Sequence, residues 1–384
     1  MTAGTTTDRA SLWRLPAMRG LVGATALGFA GYCLTLASLP AYAVASGASA
    51  DTAGVVTAVF LLVTVAGQSV VPALTARVGL GPVLAGGLFL LGAPSPLYVL
   101  DDGVVWLSAV SAVRGAGFAV LTVLGAVLAA QVAPPARRGE AIGLYGLAIA
   151  VPNLIAVPAG VALVLDGHAG WLAWLATSPV LALPLVPGLA RTVHWEGAAG
   201  GSSREAVRAA LMPSAVLLLV TLAGGGLMTF LPIERPDGVL ATAALLIFGV
   251  TGALARWRAG LLADRIGTRR LLPAALLVGA AGLAAVALGL EATDAVVLAG
   301  AAVFGAGYGA VQNLTLVAAF ARAGEGGSTA ASALWNASFD AGTAAGALAL
   351  GLVAAGVGLP WTYVLVAGVL LAALPLARVA TRPA

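Results

Sequence analysis

Asp340 is the residue of this 384-residue chain whose type and position most clearly suggest chemistry. It is the only charged residue between Glu325 and Arg378, and its neighbours are mostly apolar. A carboxylate in hydrocarbon costs roughly 2.5–3.5 kcal/mol on insertion scales, so chains that keep one there generally use it. It can carry a proton, pair with a buried cation or hold a substrate. We expect proton or gate coupling, with a permanent pair to Arg256 or another cation as the alternative.

Arg114 is a second charge inside an apolar stretch, twelve residues after Asp102. At ~1.5 Å of rise per residue it would lie ~18 Å along a helix. A guanidinium this deep must face a central cavity or a carboxylate. We expect a functional role, with structural pairing as the alternative. Arg256 and Arg258 lie nearer to a charged segment, so they either work there or extend their charged ends to the lipid surface.

Uncharged polar and aromatic side chains in the same stretches could shape a binding pocket. Each of them is as able to join two helices by a hydrogen bond as to contact a substrate. These candidates are Tyr32, Asn153, Tyr308, Gln312, Asn313, Trp335 and Asn336. The two histidines and the single cysteine, Cys33, are far apart and form no recognisable metal-binding pattern, so no cofactor is expected.

The composition shows which elements must position these residues. Sixty per cent of the residues are apolar and only 9% are charged, whereas a soluble domain carries about 25% charged residues. Most uncharged gaps are long enough for the ~20 apolar residues of a membrane-crossing helix. The gaps are 20–50, 52–76, 78–100, 115–136, 141–165, 167–190, 209–233, 238–255, 271–290 and 295–321. The stretch 326–377 allows two more crossings with a turn near 356–360, which brings the prediction to an all-α membrane protein with twelve helices. The runs show no alternation of apolar and polar residues, so a barrel is not expected.

The arginines are distributed unevenly between alternate loops of this arrangement. One set of loops and termini contains Arg9, Arg14, Arg19, Arg77, Arg137, Arg138, Arg191, Arg204, Arg208, Arg265, Arg269, Arg270, Arg322, Arg378 and Arg382. The other set contains only Arg235, among several acids. Basic residues in short loops stay in the cytoplasm, so we expect both termini there and the chain in the plasma (inner) membrane, with the lipid bilayer as its partner. The net charge of +4 is then a sign of topology and not of nucleic-acid binding.

Short repeats indicate two similar halves. Arg77-Val78-Gly79 recurs as Arg265-Ile266-Gly267, 188 positions later, and Gly115-Ala116-Gly117-Phe118 recurs as Gly305-Ala306-Gly307-Tyr308, 190 positions later. The most polar stretch lies between the halves and is rich in glycine and serine. We therefore predict one six-helix bundle over 1–190, a linker over 191–210 and a second bundle over 211–384.

Residues 260–270 read Gly-Leu-Leu-Ala-Asp-Arg-Ile-Gly-Thr-Arg-Arg. This segment closely resembles a loop of the major facilitator superfamily (MFS) of transporters, at the position of that family's second copy. The first-half copy around Arg77 has lost its acid and its last basic pair. The resemblance implies the MFS fold, with two pseudo-symmetric six-helix bundles. Within the family it is nearest to small bacterial efflux permeases, through Arg256 and through Trp335, Asn336 and Asp340, although the antiporter pattern of the fifth helix is poorly kept.

The same loop could act as a latch between the two halves. Gly260 and Gly267 would allow a tight helix end, and Asp264 could meet the positive N-terminal end of a neighbouring helix. Arg265, Arg269 and Arg270 could pair with acids of the other half, and Glu140 is the expected partner. The alternative is that these arginines only fix the topology.

These observations predict a secondary active transporter and not an enzyme. The chain has no lysine and no phosphate-binding loop, so ATP is not its energy source. We expect proton-coupled efflux of a drug-like or natural-product small molecule by alternating access, and we expect a monomeric bacterial protein. The alternatives are uptake of a small metabolite or organic anion, with Arg114 as the counter-ion, and a membrane receptor that does not transport.

Overall fold

The computed structural model describes residues 11–47, 50–192, 203–234 and 239–382, and within these ranges the chain is almost entirely helical, without a strand. Eleven helical segments are long and apolar enough to cross a membrane. A twelfth is a helix pair bent by 40°. The predicted all-α architecture with twelve crossings is therefore confirmed, with the last crossing broken. We number these segments spans 1–12 in chain order.

The first six spans have the following helices. Span 1 comprises Pro16–Leu36 and Ser38–Ala45, span 2 Ala50–Val78, span 3 Leu80–Gly92 and Ser95–Val99, span 4 Val104–Gln131, span 5 Arg138–Leu165, and span 6 Ala169–Leu175, Ser178–Leu185 and Val186–Thr192. Short 3₁₀ turns at Leu12–Arg14 and Pro135–Arg137 precede spans 1 and 5.

The last six spans have the following helices. Span 7 is Ser203–Glu234, span 8 Val239–Ile266, span 9 Thr268–Glu291, span 10 Asp294–Ala323, span 11 Ser328–Val357, and span 12 comprises Leu359–Ala372 and Leu374–Ala380. Of the predicted linker 191–210, residues 193–202 lie outside the described residues, and span 7 already begins at Ser203.

Proline and glycine explain where several of these helices break or end. Pro184 lies in the 3₁₀ part of span 6 and Pro375 at the bend of span 12, where a proline cannot donate a backbone hydrogen bond. Gly79 and Gly267, from the repeated tripeptides, have φ of 94° and 81°. Each separates two consecutive spans. Gly358, with φ of 81°, separates spans 11 and 12 within the predicted turn.

The repeat predicted from sequence is also a repeat of contacts. A Cβ atom on Gly115 would lie 2.5 Å from the carbonyl oxygen of Phe60, and one on Gly305 would lie 2.4 Å from that of Phe248. Span 4 therefore approaches span 2 as closely as span 10 approaches span 8. The aromatic residue three positions after each glycine packs on the same phenylalanine, as Phe118 on Phe60 and Tyr308 on Phe248. The two halves are pseudo-symmetric in packing as well as in sequence.

One core of buried residues lies wholly within spans 7–12. A second core lies mainly within spans 1–6 and continues into residues of the other half, including Leu316 and Trp335. The halves meet where span 5 packs on spans 8 and 10, and where span 11 packs on spans 2 and 4. We call the side that carries Arg77, Arg137, Arg138, Arg265, Arg269, Arg270 and Arg322 the arginine-rich face.

Candidate functional site

Asp340 lies at the contact between the two halves. Its Oδ2 atom accepts a hydrogen bond of 2.9 Å from Nε2 of Gln68, which extends from span 2. Gln68 is fully buried and Asp340 is partly buried. Among the described residues no cation lies within ion-pair distance of Asp340, so the alternative of a permanent pair with Arg256 is wrong for this structure.

Gln68 can serve Asp340 in either protonation state. Its amide nitrogen donates to the charged carboxylate, while its oxygen, Oε1, is buried without a partner among the described residues. A neutral carboxyl group would gain an O–H donor, and Oε1 is an acceptor in the same side chain. The Gln68 side chain therefore offers both a donor and an acceptor to Asp340.

Two tyrosines from different halves surround this pair. Tyr32 of span 1 and Tyr308 of span 10 are both near enough to Asp340 to interact with it electrostatically. The ring of Tyr32 stacks on Phe118 with 4.1 Å between centroids. The ring of Tyr308 lies against Gly224 of span 7, where any Cβ would clash with it. Spans 1, 7 and 10 thus meet spans 2 and 11 around Asp340.

A second polar contact between the halves lies one turn from Asp340 along span 11. The amide of Asn336 donates to the backbone oxygen of Thr122 in span 4 at 3.4 Å, and to the carbonyl oxygen of Ser332 at 2.9 Å. The hydroxyl of Ser332 donates to the carbonyl oxygen of Val123 at 2.8 Å. Asn336 and Ser332 are both buried, so they hold spans 4 and 11 together.

Arg256 is buried in span 8, so the alternative that it extends its charged end to the lipid surface is wrong for this residue. Its side chain is 7% exposed, and Nη1 donates to Oε1 of Gln312 at 2.9 Å. The guanidinium lies 5.9 Å from the centroid of the Trp335 ring. Its Nε and Nη2 atoms are buried without hydrogen-bond partners among the described residues. Arg258, two positions later, is exposed.

Arg114 joins spans 1, 3 and 4 within the first half, and among the described residues no carboxylate lies within ion-pair distance of it. Its side chain has no exposed surface. Nε donates to Leu91 O at 2.8 Å, Nη2 to Gly31 O at 2.7 Å, and Nη1 to the hydroxyls of Thr35 at 2.8 Å and Tyr98 at 3.2 Å. Neutral acceptors therefore satisfy this guanidinium. The structure favours the structural alternative for Arg114 over the expected functional role.

The remaining predicted pocket residues have individual partners. Asn313 is buried and donates to Gly139 O at 3.3 Å across the halves. Asn153 donates to Ile149 O of its own helix at 3.1 Å. Trp335 donates from its indole nitrogen to the Thr315 hydroxyl at 3.1 Å.

Asp264 lies in span 8 of the second half and contacts the first turn of span 5, which belongs to the first half. Its two carboxylate oxygens accept hydrogen bonds from the backbone nitrogens of Gly139 at 2.9 Å and Glu140 at 2.8 Å. These nitrogens are unsatisfied at any helix start and carry partial positive charge, which favours an acid there. Gly260 lies inside span 8, which continues to Ile266, and it packs against the backbone of Gly139. Its expected role in a tight helix end is therefore wrong, whereas Gly267 forms the turn.

The predicted pairing of Glu140 with the loop arginines is wrong. Glu140 pairs with Arg137, three residues earlier, at 2.7 Å, which is within reach in one helical turn. Arg265, Arg269 and Arg270 are exposed, and none of them has an acid within ion-pair distance among the described residues. Arg77, the counterpart of Arg265 in the first half, is also exposed.

Sequence reasoning missed Gln68, Thr122 and Tyr145. The repeat contained the signal for the first of them, because Gln68 precedes Arg256 by 188 positions, the same offset as Arg77 and Arg265. Gln68 is also the only amide in the gap 52–76. Among the described residues no group of three or more His, Cys, Asp or Glu side chains is placed to hold a metal ion.

Comparison with known families agrees with this architecture. The family profile described as Major Facilitator Superfamily matches residues 21–332 and 237–384. The chain belongs to the major facilitator superfamily. It is therefore a multi-pass membrane transporter and not an enzyme. Its sequence has no significant match among curated proteins.

Solved structures of other superfamily members share the fold at low sequence identity. The E. coli fucose:proton symporter FucP is 16% identical, with a TM-score of 0.76 over 95% of this chain and 98% of that chain. The human organic anion transporter MFSD10 (TETRAN) is 16% identical, with a TM-score of 0.74 over 96% and 100%. The proton:xylose symporter XylE is 17% identical, with a TM-score of 0.71 over 95% and 94%.

Proposed function

We propose that this superfamily member is a proton-coupled secondary transporter that works by alternating access, with Asp340 as the proton carrier. The observation that carries the proposal is the hydrogen bond of 2.9 Å between Asp340 and Gln68, which joins the halves without a cation. A carboxylate inside a membrane is costly, and an unpaired one gains stability by binding a proton. Protonation therefore changes the free energy of the contact between the two halves.

Alternating access requires that this contact changes as the halves move. The described hydrogen bonds between the halves lie between the arginine-rich face and the middle of the spans. They involve Asp264, Asn313, Ser332, Asn336 and Asp340. This structure is thus closed at the arginine-rich face. We assign that face to the cytoplasm on the distribution of arginines, so that both termini are cytoplasmic. We further propose that the protein is a monomeric transporter of the plasma (inner) membrane of a bacterium.

For direction and substrate, we propose efflux of a drug-like or natural-product small molecule. The resemblance of Arg256, Trp335, Asn336 and Asp340 to small bacterial efflux permeases supports efflux. The aromatic residues around Asp340, among them Tyr32 and Phe118, form a surface that suits an amphipathic organic molecule.

Uptake of a small metabolite or organic anion is the second candidate. Arg256 favours it, since two of its nitrogens are buried without partners among the described residues. Arg114 is not supported as the counter-ion of such an anion, because its nitrogens already donate hydrogen bonds to neutral oxygens. A receptor that binds without transport is the third candidate, and flux measurements in reconstituted vesicles separate it from both.

The experiment is accumulation of fluorescent and antibiotic compounds in a bacterium that lacks its main efflux pumps. Cells express wild type, Asp340→Asn or the control Asp166→Asn, which removes an exposed acid, each with and without a protonophore. We expect wild type and the control to lower accumulation, and Asp340→Asn or the protonophore to abolish this effect. Equal accumulation in all cells, with the proteins present in the membrane, would contradict efflux. If Asp340→Asn still exported compounds and the protonophore still abolished this export, proton-driven efflux would stand and the role of Asp340 as the proton carrier would be contradicted.

A further inference from the structure

Arg256 is a buried charge whose hydrogen-bonding capacity is mostly unused. Its side chain is 7% exposed, and only Nη1 has a hydrogen-bond acceptor, the neutral Oε1 of Gln312. Nε and Nη2 have no partner among the described residues. Among the residues that the structure describes, no carboxylate lies within ion-pair distance of Arg256. A buried guanidinium without a counter-ion is strongly unfavourable.

Arg114 shows that this chain can satisfy a buried guanidinium when its role is structural. All three nitrogens of Arg114 donate to oxygens of spans 1 and 3. Arg256 has a similar depth of burial but only one such bond. Structural packing therefore explains Arg114 and leaves the two free nitrogens of Arg256 unexplained.

The groups around Arg256 indicate what would complete it. The guanidinium lies 5.9 Å from the centroid of the Trp335 ring, and Tyr145 and Tyr308 are close enough to interact with it electrostatically. A planar guanidinium with two free donors suits the two oxygens of a carboxylate. The three aromatic rings would contact the apolar body of the same molecule.

Access to Arg256 depends on the position of span 5. A Cβ on Gly146 of span 5 would lie 2.5 Å from Nε of Arg256, so span 5 covers this nitrogen in the closed arrangement. Spans 5 and 8 belong to different halves. Movement of the halves apart at the arginine-rich face would uncover Nε.

We propose that Arg256 is the anion-binding residue of the substrate site and binds the carboxylate of an aromatic organic acid when spans 5 and 8 part. This inference rests on the proposed function as a transporter and names the chemical class of its substrate. It moves the anion-binding role from the first half, where the sequence suggested Arg114, to the second half.

The test is binding to purified protein in lipid nanodiscs, which needs no transport. The probes are matched pairs of aromatic acids and their neutral amides, such as benzoate with benzamide and indole-3-acetate with indole-3-acetamide. The proteins are wild type, Arg256→Gln, Arg256→Lys and the control Arg258→Gln, which removes an exposed arginine from the same helix. Dissociation constants are measured by titration, and the thermal melt of each variant without probe shows whether it is folded.

We expect wild type and Arg258→Gln to bind at least one acid about tenfold or more tightly than its amide, because a hydrogen bond to a charged group is lost in the amide. Arg256→Gln should bind both members of each pair equally. Arg256→Lys should keep part of the preference, because it keeps the charge and loses the planar fork. This partial rescue would not follow from a merely structural role.

Two outcomes would overturn the inference. The first is an unchanged preference for the acid in folded Arg256→Gln. The second is the absence of any acid preference in wild type across the probe pairs. Proton-driven export of neutral compounds that survives Arg256→Gln would likewise overturn it while leaving the proposed function intact. Acid binding through Arg256 without flux in vesicles would instead support the site and contradict the transporter proposal.

Discussion

At the scale of single residues, three charges that lie deep in the spans, Arg114, Arg256 and Asp340, have three different kinds of partner. Arg114 is satisfied by neutral oxygens of its own half. Asp340 shares one hydrogen bond with Gln68 of the other half. Arg256 has one neutral partner and two nitrogens without any among the described residues. The number and origin of these partners separate a structural charge from charges that are available for function.

Replacement of Arg114 by methionine should destabilise the protein, whereas replacement of Arg256 by methionine should not. Arg114→Met leaves buried acceptors such as Leu91 O and Gly31 O without donors, so we expect a loss of roughly 3 kcal/mol and a clearly lower melting temperature. Arg256→Met removes a poorly paired buried charge and should leave the melting temperature unchanged or raise it. Thermal melts of the purified proteins in one detergent make the comparison. An equal decrease for both variants would contradict the distinction drawn between them.

At the scale of helices, glycines set how closely the halves approach. Gly139 and Gly143 of span 5 lie against Gly260 and Trp257 of span 8, with almost no space for an added carbon atom. Backbones in such close contact gain packing that bulkier residues would prevent, which is common for helix pairs in membranes. The backbones of spans 5 and 8 therefore pack closely against each other near the arginine-rich face.

Gly260→Ala should therefore weaken the closed arrangement. Its Cβ would lie 2.0 Å from Gly139 O, so spans 5 and 8 must move apart. The measurement is the rate of maleimide labelling of Ser332→Cys in a Cys33→Ser background, because Ser332 is buried at the contact between spans 4 and 11. We expect faster labelling in Gly260→Ala.

The matched control for this experiment is Gly86→Ala in span 3, where an added Cβ meets nothing within 4 Å. Its labelling should equal that of the parent protein. Slow labelling of Gly260→Ala, with normal folding, would show that the close approach of spans 5 and 8 does not keep this face closed.

At the scale of the whole molecule, the two halves repeat in packing but differ in the hydrogen bonds that each makes to the other half. Asp264 of the second half accepts two backbone hydrogen bonds at the start of span 5. The position 188 residues earlier is Ala76, which has no carboxylate to offer the start of span 11. One acid therefore joins the halves at the start of span 5 only, and we expect the equilibrium between the closed and open arrangements to depend on it.

Asp264→Ala should shift that equilibrium towards the open arrangement. The loss of two charge-assisted hydrogen bonds at a helix start is worth about 2 kcal/mol, so labelling of Ser332→Cys should accelerate by at least about tenfold. The control Asp166→Ala removes an exposed acid away from this contact and should leave the rate unchanged. Equal labelling rates for Asp264→Ala and Asp166→Ala would contradict the role of Asp264 in stabilising the closed arrangement.

The sequence by itself determined the membrane class, the number of spans, the uneven distribution of arginine and the two similar halves. Uncharged runs of about 20 residues, short loops and repeated glycines suffice for these conclusions. It also picked out Asp340, Asp264 and Gly267 from their residue types and surroundings. The repeat offset would have picked out Gln68 as well.

Only the tertiary structure decided which side chains meet. Gln68 and Asp340 are 272 positions apart, and the sequence does not show which oxygens accept from Arg114 or from Arg256. In a soluble helix the apolar stripe shows which face is buried, but a membrane span is apolar on every face. The rotation of each helix is therefore set by glycine contacts and polar partners in the packed bundle. Those contacts place Arg114 within one half and Arg256 between the two.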